Sequence, residues 1–130
     1  MNTVKIDLCG LPDELRSGLE KLCMHEGFRS GTDGIRLSAR RGGAFSAEFD
    51  GQTLRVEYCE PVQFFRALSY LKRADHRRFA LHRQPVFEHN GVMLDCSRNA
   101  VPRVEAVKMV LRKMALMGLN TLMLYTEDTY

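Results

Sequence analysis

Two polar clusters follow directly on apolar runs in the last third of the chain. Asp95, Ser97 and Arg98 come after Val92-Met-Leu94, and Thr126, Glu127 and Asp128 come after Leu122-Met-Leu-Tyr125. An arginine in such a place offers a planar fork of donors that can grip hydroxyls, carboxylates or phosphates. Neighbouring carboxylates hold the fork in place or accept hydrogen bonds from hydroxyls. A salt bridge from Arg98 to Asp95 or Glu127 reads the same residues structurally, and the two readings are compatible.

The elements that must position these clusters are a strand, a helix and a strand. Both apolar runs are continuous rather than alternating, the signature of strands covered on both faces as in parallel sheets. Between them Pro102 suits the first turn of a helix of about four turns. Val104, Val107, Leu111 and Met114 form its expected buried stripe, Glu105, Lys108 and Arg112 lie outside it, and Gly118 fits its end. In parallel α/β architectures the functional groups collect at the carboxyl ends of strands, so both clusters fall on one rim. A lone unit of this kind leaves apolar flanks and unpaired strand edges. The expectation is therefore the opening of a larger parallel sheet or barrel, cut off at Tyr130; pairing with a second copy is the other way to cover the edges.

The first 85 residues read differently. Val4, Ile6 and Leu8 alternate with Lys5 and Asp7 as a half-buried strand, and Pro12, Asp13 and Glu14 open a helix whose Leu15, Leu19, Leu22 and Cys23 share a face up to Gly27. Three alternating runs follow, through Ile35, Leu37 and Ala39, through Phe45, Ala47 and Phe49, and through Leu54, Val56 and Tyr58. Gly42-Gly43 and Asp50-Gly51 separate them and suit tight hairpins, which predicts an antiparallel meander. A second helix starts at Pro61 and turns Phe64, Phe65, Leu68 and Leu71 to the sheet. Helical pattern is lost from Phe79 to Asn90, where a boundary is expected. The fold class is thus α+β: residues 1–85 form an antiparallel sheet covered by two helices, and residues 86–130 form a βαβ unit that looks like the first part of a (β/α)8 barrel.

Composition excludes several classes. Net charge is +3 from 19 basic and 16 acidic residues, mostly interspersed, which argues against a nucleic-acid binder. The basic run from Lys72 to Arg78 reads as a helix end whose cations complement the dipole. A non-catalytic binding module that uses this run on an acidic partner or nucleic acid is the rival reading. Cys9, Cys23, Cys59 and Cys96 are widely spaced and read as buried reduced thiols, while His25, His76, His82 and His89 are too scattered for a metal site. There is no long apolar stretch and no signal-like start, so no membrane association and a cytoplasmic location are expected. The seven methionines read as core. Gly-rich phosphate loops, nucleophile elbows and helical His pairs are missing.

Gly-x-Met-Leu-Asp-x-Ser-Arg, the helix end Met-Ala-Leu-Met-Gly-Leu-Asn120 and Tyr-Thr-Glu-Asp-Thr-Tyr130 together resemble glycoside hydrolases of family twenty, the exo-acting β-N-acetylhexosaminidases. The specific resemblance covers residues 91–130; the preceding strand–helix pattern matches the family's small α+β domain in architecture only. The resemblance implies that Arg98 binds hydroxyls of a terminal N-acetylhexosamine, with Asp95 as its neighbour. Many members end the second barrel strand with His-x-His-Leu-Thr-Asp-Asp, whereas this chain has Leu122-Met-Leu-Tyr-Thr-Glu-Asp128. It lacks both histidines and exchanges an aspartate for Glu127, so Glu127 and Asp128 are carried over only as pocket-rim residues. The family's chemistry is substrate-assisted, with no metal or organic cofactor: the sugar's acetamido oxygen attacks, an aspartate orients it, and an adjacent glutamate protonates the leaving oxygen. The sole Asp-Glu pair here, Asp13-Glu14, falls in an N-terminal helix turn and reads as a cap. The resemblance therefore implies a fragment with no hydrolysis of its own and a carbohydrate as the partner of the whole enzyme; homo-oligomerisation through the exposed strand edges is the alternative that the edges themselves leave open.

Overall fold

In strand β1 (Val4–Asp7), Val4 and Ile6 turn to the core while Lys5 faces water, the period-2 alternation of a sheet with one covered face. The structure, a computed structural model, describes residues 3–97 and 101–127. Helix α1 (Asp13–His25) buries Leu15, Leu19 and Leu22 and is followed by the short strand β2 (Phe28–Ser30). Strands β3 (Ile35–Arg41), β4 (Phe45–Phe49) and β5 (Thr53–Tyr58) come next, then helix α2 (Pro61–Ala74) and strand β6 (Phe79–Arg83). Pro61 opens α2, and Glu60 and Gln63 cap it reciprocally through side chain and backbone. Its buried face carries Phe64, Ala67, Leu68 and Leu71.

These strands form one six-stranded sheet in the order β2-β1-β3-β5-β4-β6. The α+β class stands, but the sheet is mixed rather than an antiparallel meander. β3 does not pair with β4: it runs parallel to β5, with Leu37 opposite Leu54 and Ala39 opposite Val56. β5 lies between β3 and β4, and only the β4–β5 hairpin and the β4–β6 pair are antiparallel. The turn chemistry explains the choice. Asp50 Oδ1 accepts from the backbone N–H of Gln52 at 2.9 Å and of Thr53 at 2.8 Å, which locks the β4–β5 hairpin. Gly42 instead continues β3, donating to the carbonyl of Tyr58 at 2.9 Å. β6 occupies part of the stretch from Phe79 to Asn90 that reads as irregular in the sequence, because Ala80, His82 and Arg83 dilute its apolar alternation.

The core lies between one face of this sheet and the two helices, with Ile6, Leu37, Phe49, Leu54, Tyr58, Phe64 and Leu68 buried. Tyr58 places its hydroxyl 2.6 Å from Glu14 Oε1, and Arg41 reaches Glu14 Oε2 at 3.2 Å. Glu14 thus joins helix to sheet as well as favouring the helix dipole. The four cysteines are reduced but not buried: Cys9 is exposed and the other three are half-buried.

The remaining elements are strand β7 (Gly91–Asp95), helix α3 (Val104–Met117) and strand β8 (Thr121–Tyr125). β7 and β8 form a separate two-stranded parallel sheet. Its apolar runs are not covered on both faces: Met93 is 62% exposed and Met123 56%. The expected stripe of α3 is also largely uncovered, with Val104 69% and Leu111 45% exposed. Met114 is buried and Leu116 packs against the main core, because the face of α3 that finds a partner is the one toward α2.

Candidate functional site at the carboxyl ends of the last two strands

Asp95 closes β7 in register with Tyr125, which closes β8. The pairing continues one residue further, as the N–H of Cys96 donates to the carbonyl of Tyr125 at 2.7 Å. Asp95 Oδ1 accepts from the backbone N–H of Ser97 at 2.8 Å and from the Ser97 hydroxyl, so the aspartate holds the turn after its own strand. On the neighbouring strand end the Tyr125 hydroxyl donates to Glu127 Oε1 at 3.3 Å. Two of the four residues expected at the rim, Asp95 and Glu127, therefore come at or just past the carboxyl ends of the paired strands β7 and β8, with the Tyr125 hydroxyl on Glu127. Arg98 and Asp128 lie outside the described residues.

Two exposed carboxylates with hydroxyl-bearing neighbours can accept hydrogen bonds from hydroxyl donors and can anchor a cation. No group of three or more His, Cys, Asp or Glu side chains is arranged to hold a metal among the described residues. No described helix is long and apolar enough to cross a membrane. In the basic run, Lys72 is engaged within the fold: its Nζ donates to the carbonyl of Glu26 and lies 5.4 Å from the centre of the Phe28 ring.

Sequence reasoning passed over the residue that organises the opposite end of the small sheet. Asn120 and Asn90 clasp each other, with the Asn90 N–H donating to Asn120 Oδ1 and the Asn120 N–H to the Asn90 carbonyl, both at 2.8 Å. Asn120 Nδ2 also donates to the Glu88 carbonyl at 2.7 Å and to Glu60 Oε2 at 3.3 Å. One side chain thus sets the starts of β7 and β8 level and ties them to the capping residue of α2. The signal was its place at the end of Met-Ala-Leu-Met-Gly-Leu-Asn120, immediately before an apolar strand. A cleft of about 720 Å³ opens beside it, lined by Gln63, Arg66, Arg83, Phe87 and Asn120 among others.

No protein-family model and no curated protein matches the chain. Among solved structures, its fold is similar to that of the GH20 exo-β-N-acetylglucosaminidase of Vibrio harveyi, crystallised in complex with N-acetylglucosamine, at a TM-score of 0.65 and 21% identity. That likeness covers 95% of this chain and 22% of the Vibrio chain. The GH20 β-N-acetylhexosaminidase of Streptomyces coelicolor is similar at a TM-score of 0.63 and 16% identity, over 95% of this chain and 30% of that one. The β-N-acetylhexosaminidase of Bacteroides fragilis is similar at 0.60 and 14%, over 95% and 28%. The chain thus spans less than a third of the length of each of these enzymes.

Proposed function

We propose that the chain is the N-terminal part of an exo-acting β-N-acetylhexosaminidase that removes terminal β-linked N-acetylglucosamine or N-acetylgalactosamine by substrate-assisted hydrolysis. In this reading residues 1–85 are the small α+β domain, and β7, α3 and β8 open a (β/α)8 barrel whose further strands cover the apolar faces of Met93, Met123 and Leu124. Arg98 grips hydroxyls of the terminal sugar, Asp95 steadies it, and Glu127 and Asp128 stand on the pocket rim. The reaction itself needs an acid and an orienting carboxylate from a later strand. What supports the reading is a coincidence of two independent observations: a strand-end motif in the sequence and a fold likeness over nearly the whole chain that point to one enzyme family.

The test is made on a longer product of the same gene. Its continuation is expected to carry an Asp-Glu pair at the carboxyl end of a later strand, and it should release 4-nitrophenol from 4-nitrophenyl N-acetyl-β-D-glucosaminide. Arg98→Ala should lower that rate about 10- to 100-fold, the worth of a charge-assisted hydrogen bond to the sugar. The 130-residue chain alone should return background. A longer product without the carboxylate pair, or one that leaves the glycoside intact, overturns the proposal.

A further inference from the structure

Glu26 is out of place for the helix it ends. It is the C-cap of α1, where the helix dipole disfavours an anion, and its side chain is only 4% exposed. A carboxylate withdrawn from water in such a position is tolerated only if cations answer it. Both answering side chains belong to α3: Arg112 Nε stands 3.3 Å from Oε1 and Lys113 Nζ 2.6 Å from Oε2. Arg112 and Lys113 are adjacent in sequence, so on a helix they diverge by about 100°. The carboxylate lies between them, and few rotations of α3 about its axis let both reach it. Lys72 of α2 holds the backbone carbonyl of the same residue, a tie to Glu26 that does not involve α3.

The C-terminal stop of α3 makes a second contact with the body. Gly118 closes the helix at φ 77°, a left-handed conformation that favours glycine, and packs against the Arg66 side chain of α2. Leu116 packs on the core and Asn120 reaches Glu60. We infer that the body formed by β1–β6, α1 and α2 serves as a docking platform for α3, with Glu26 as the positioning residue that sets the rotation of α3 and, through it, the placement of β7 and β8. This role is independent of the sugar reading, because it concerns how the rim is held and not what the rim binds.

Hydrogen exchange followed by mass spectrometry on the whole 130-residue chain tests it. Glu26→Gln keeps the shape and removes the charge. It should speed exchange in α3 roughly 10- to 100-fold while the amides of β3, β4 and β5 keep their wild-type rates. The charge-swapped pair Glu26→Lys with Lys113→Glu should recover part of the protection lost in Glu26→Lys alone. Unchanged exchange in α3, or an equal rise in α3 and in the six-stranded sheet, overturns the inference, the second outcome making Glu26 a support of the body alone. The readout uses no glycoside, so its failure is distinct from failure of the hexosaminidase assay.

Discussion

Gly91 lies against Thr121 so closely that a Cβ on the glycine would stand 1.6 Å from the Thr121 carbonyl oxygen. The two residues are register partners at the start of β7 and β8. Any side chain at residue 91 must therefore push backbone away from backbone, and this is the physical content of the glycine that begins the strand motif. Gly91→Ala should open the β7–β8 pair at a cost of about 1 to 3 kcal/mol, the range for forced overpacking. Exchange of the β8 amides is the measurement. Gly43→Ala, where a Cβ meets nothing within 4 Å, is the matched control and should leave those amides unchanged.

Asn120 should prove more sensitive than its exposed position suggests. Asn120→Ala removes the acceptor of the Asn90 N–H and the donor to the Glu88 carbonyl, with an expected loss of about 1 to 3 kcal/mol in the local stability of β7 and β8. Asn120→Asp separates the two roles. It keeps the acceptor, loses the amide donor and sets a carboxylate facing Glu60, so it should be at least as damaging as alanine near neutral pH. Amide chemical shifts of residues 88–91 report either change, and an Asn120→Ala variant that matches wild type there would refute the clasp.

What the sequence made legible was local. The alternation through Ile35, Phe45 and Leu54 and the one-face spacing of Leu15, Leu19 and Leu22 follow from periods of two and 3.6, so β3, β4, β5 and α1 could be read where they stand, whereas β6 could not. The insertion of β5 between β3 and β4 was not readable, because Gly42-Gly43 and Asp50-Gly51 both suit tight turns, and the Asp50 bonds to Gln52 and Thr53 and the pairing of β3 with β5 are made only in the folded sheet. Asp95 and Glu127 were legible as strand-end carboxylates, since an apolar run that stops in a polar cluster marks its own end. Glu26 was not, because its partners are 86 and 87 residues away and nothing near it in sequence announces them.

Tyr58 offers a probe of how α1 is held on the sheet. Its ring is fully buried and its hydroxyl donates to Glu14. Tyr58→Phe should destabilise the chain by about 1 to 2 kcal/mol in denaturant unfolding. Burial first, and the Glu14 carboxylate second, push the Tyr58 phenol above its ordinary value of 10. The folded state therefore holds that proton more firmly than the unfolded one, and the associated stability is present below about pH 10 and lost as pH rises further. An ultraviolet titration should show a tyrosine step above pH 10 that Tyr58→Phe removes.

The Glu26 cluster predicts the opposite pH dependence. Burial alone would raise this carboxyl, but the hydrogen bond and charge of Lys113, followed by those of Arg112, outweigh it and hold the group below its ordinary value of 4.5. The groups that face it are cations: Arg112 and Lys113 on α3 and Lys72 on α2 at its backbone carbonyl. A carboxyl that ionises more readily folded than unfolded contributes its stability in full above the unfolded value and loses it as pH falls through the folded one. Wild type should therefore exceed Glu26→Gln in α3 stability near neutral pH, and the gap should close below about pH 4.5 as Glu26 takes up a proton and comes to resemble the amide. Denaturant unfolding of the two proteins at matched pH, with exchange in α3 as the local readout, measures the gap. If it stayed constant across the acid range, the carboxylate would not be what holds α3 in place.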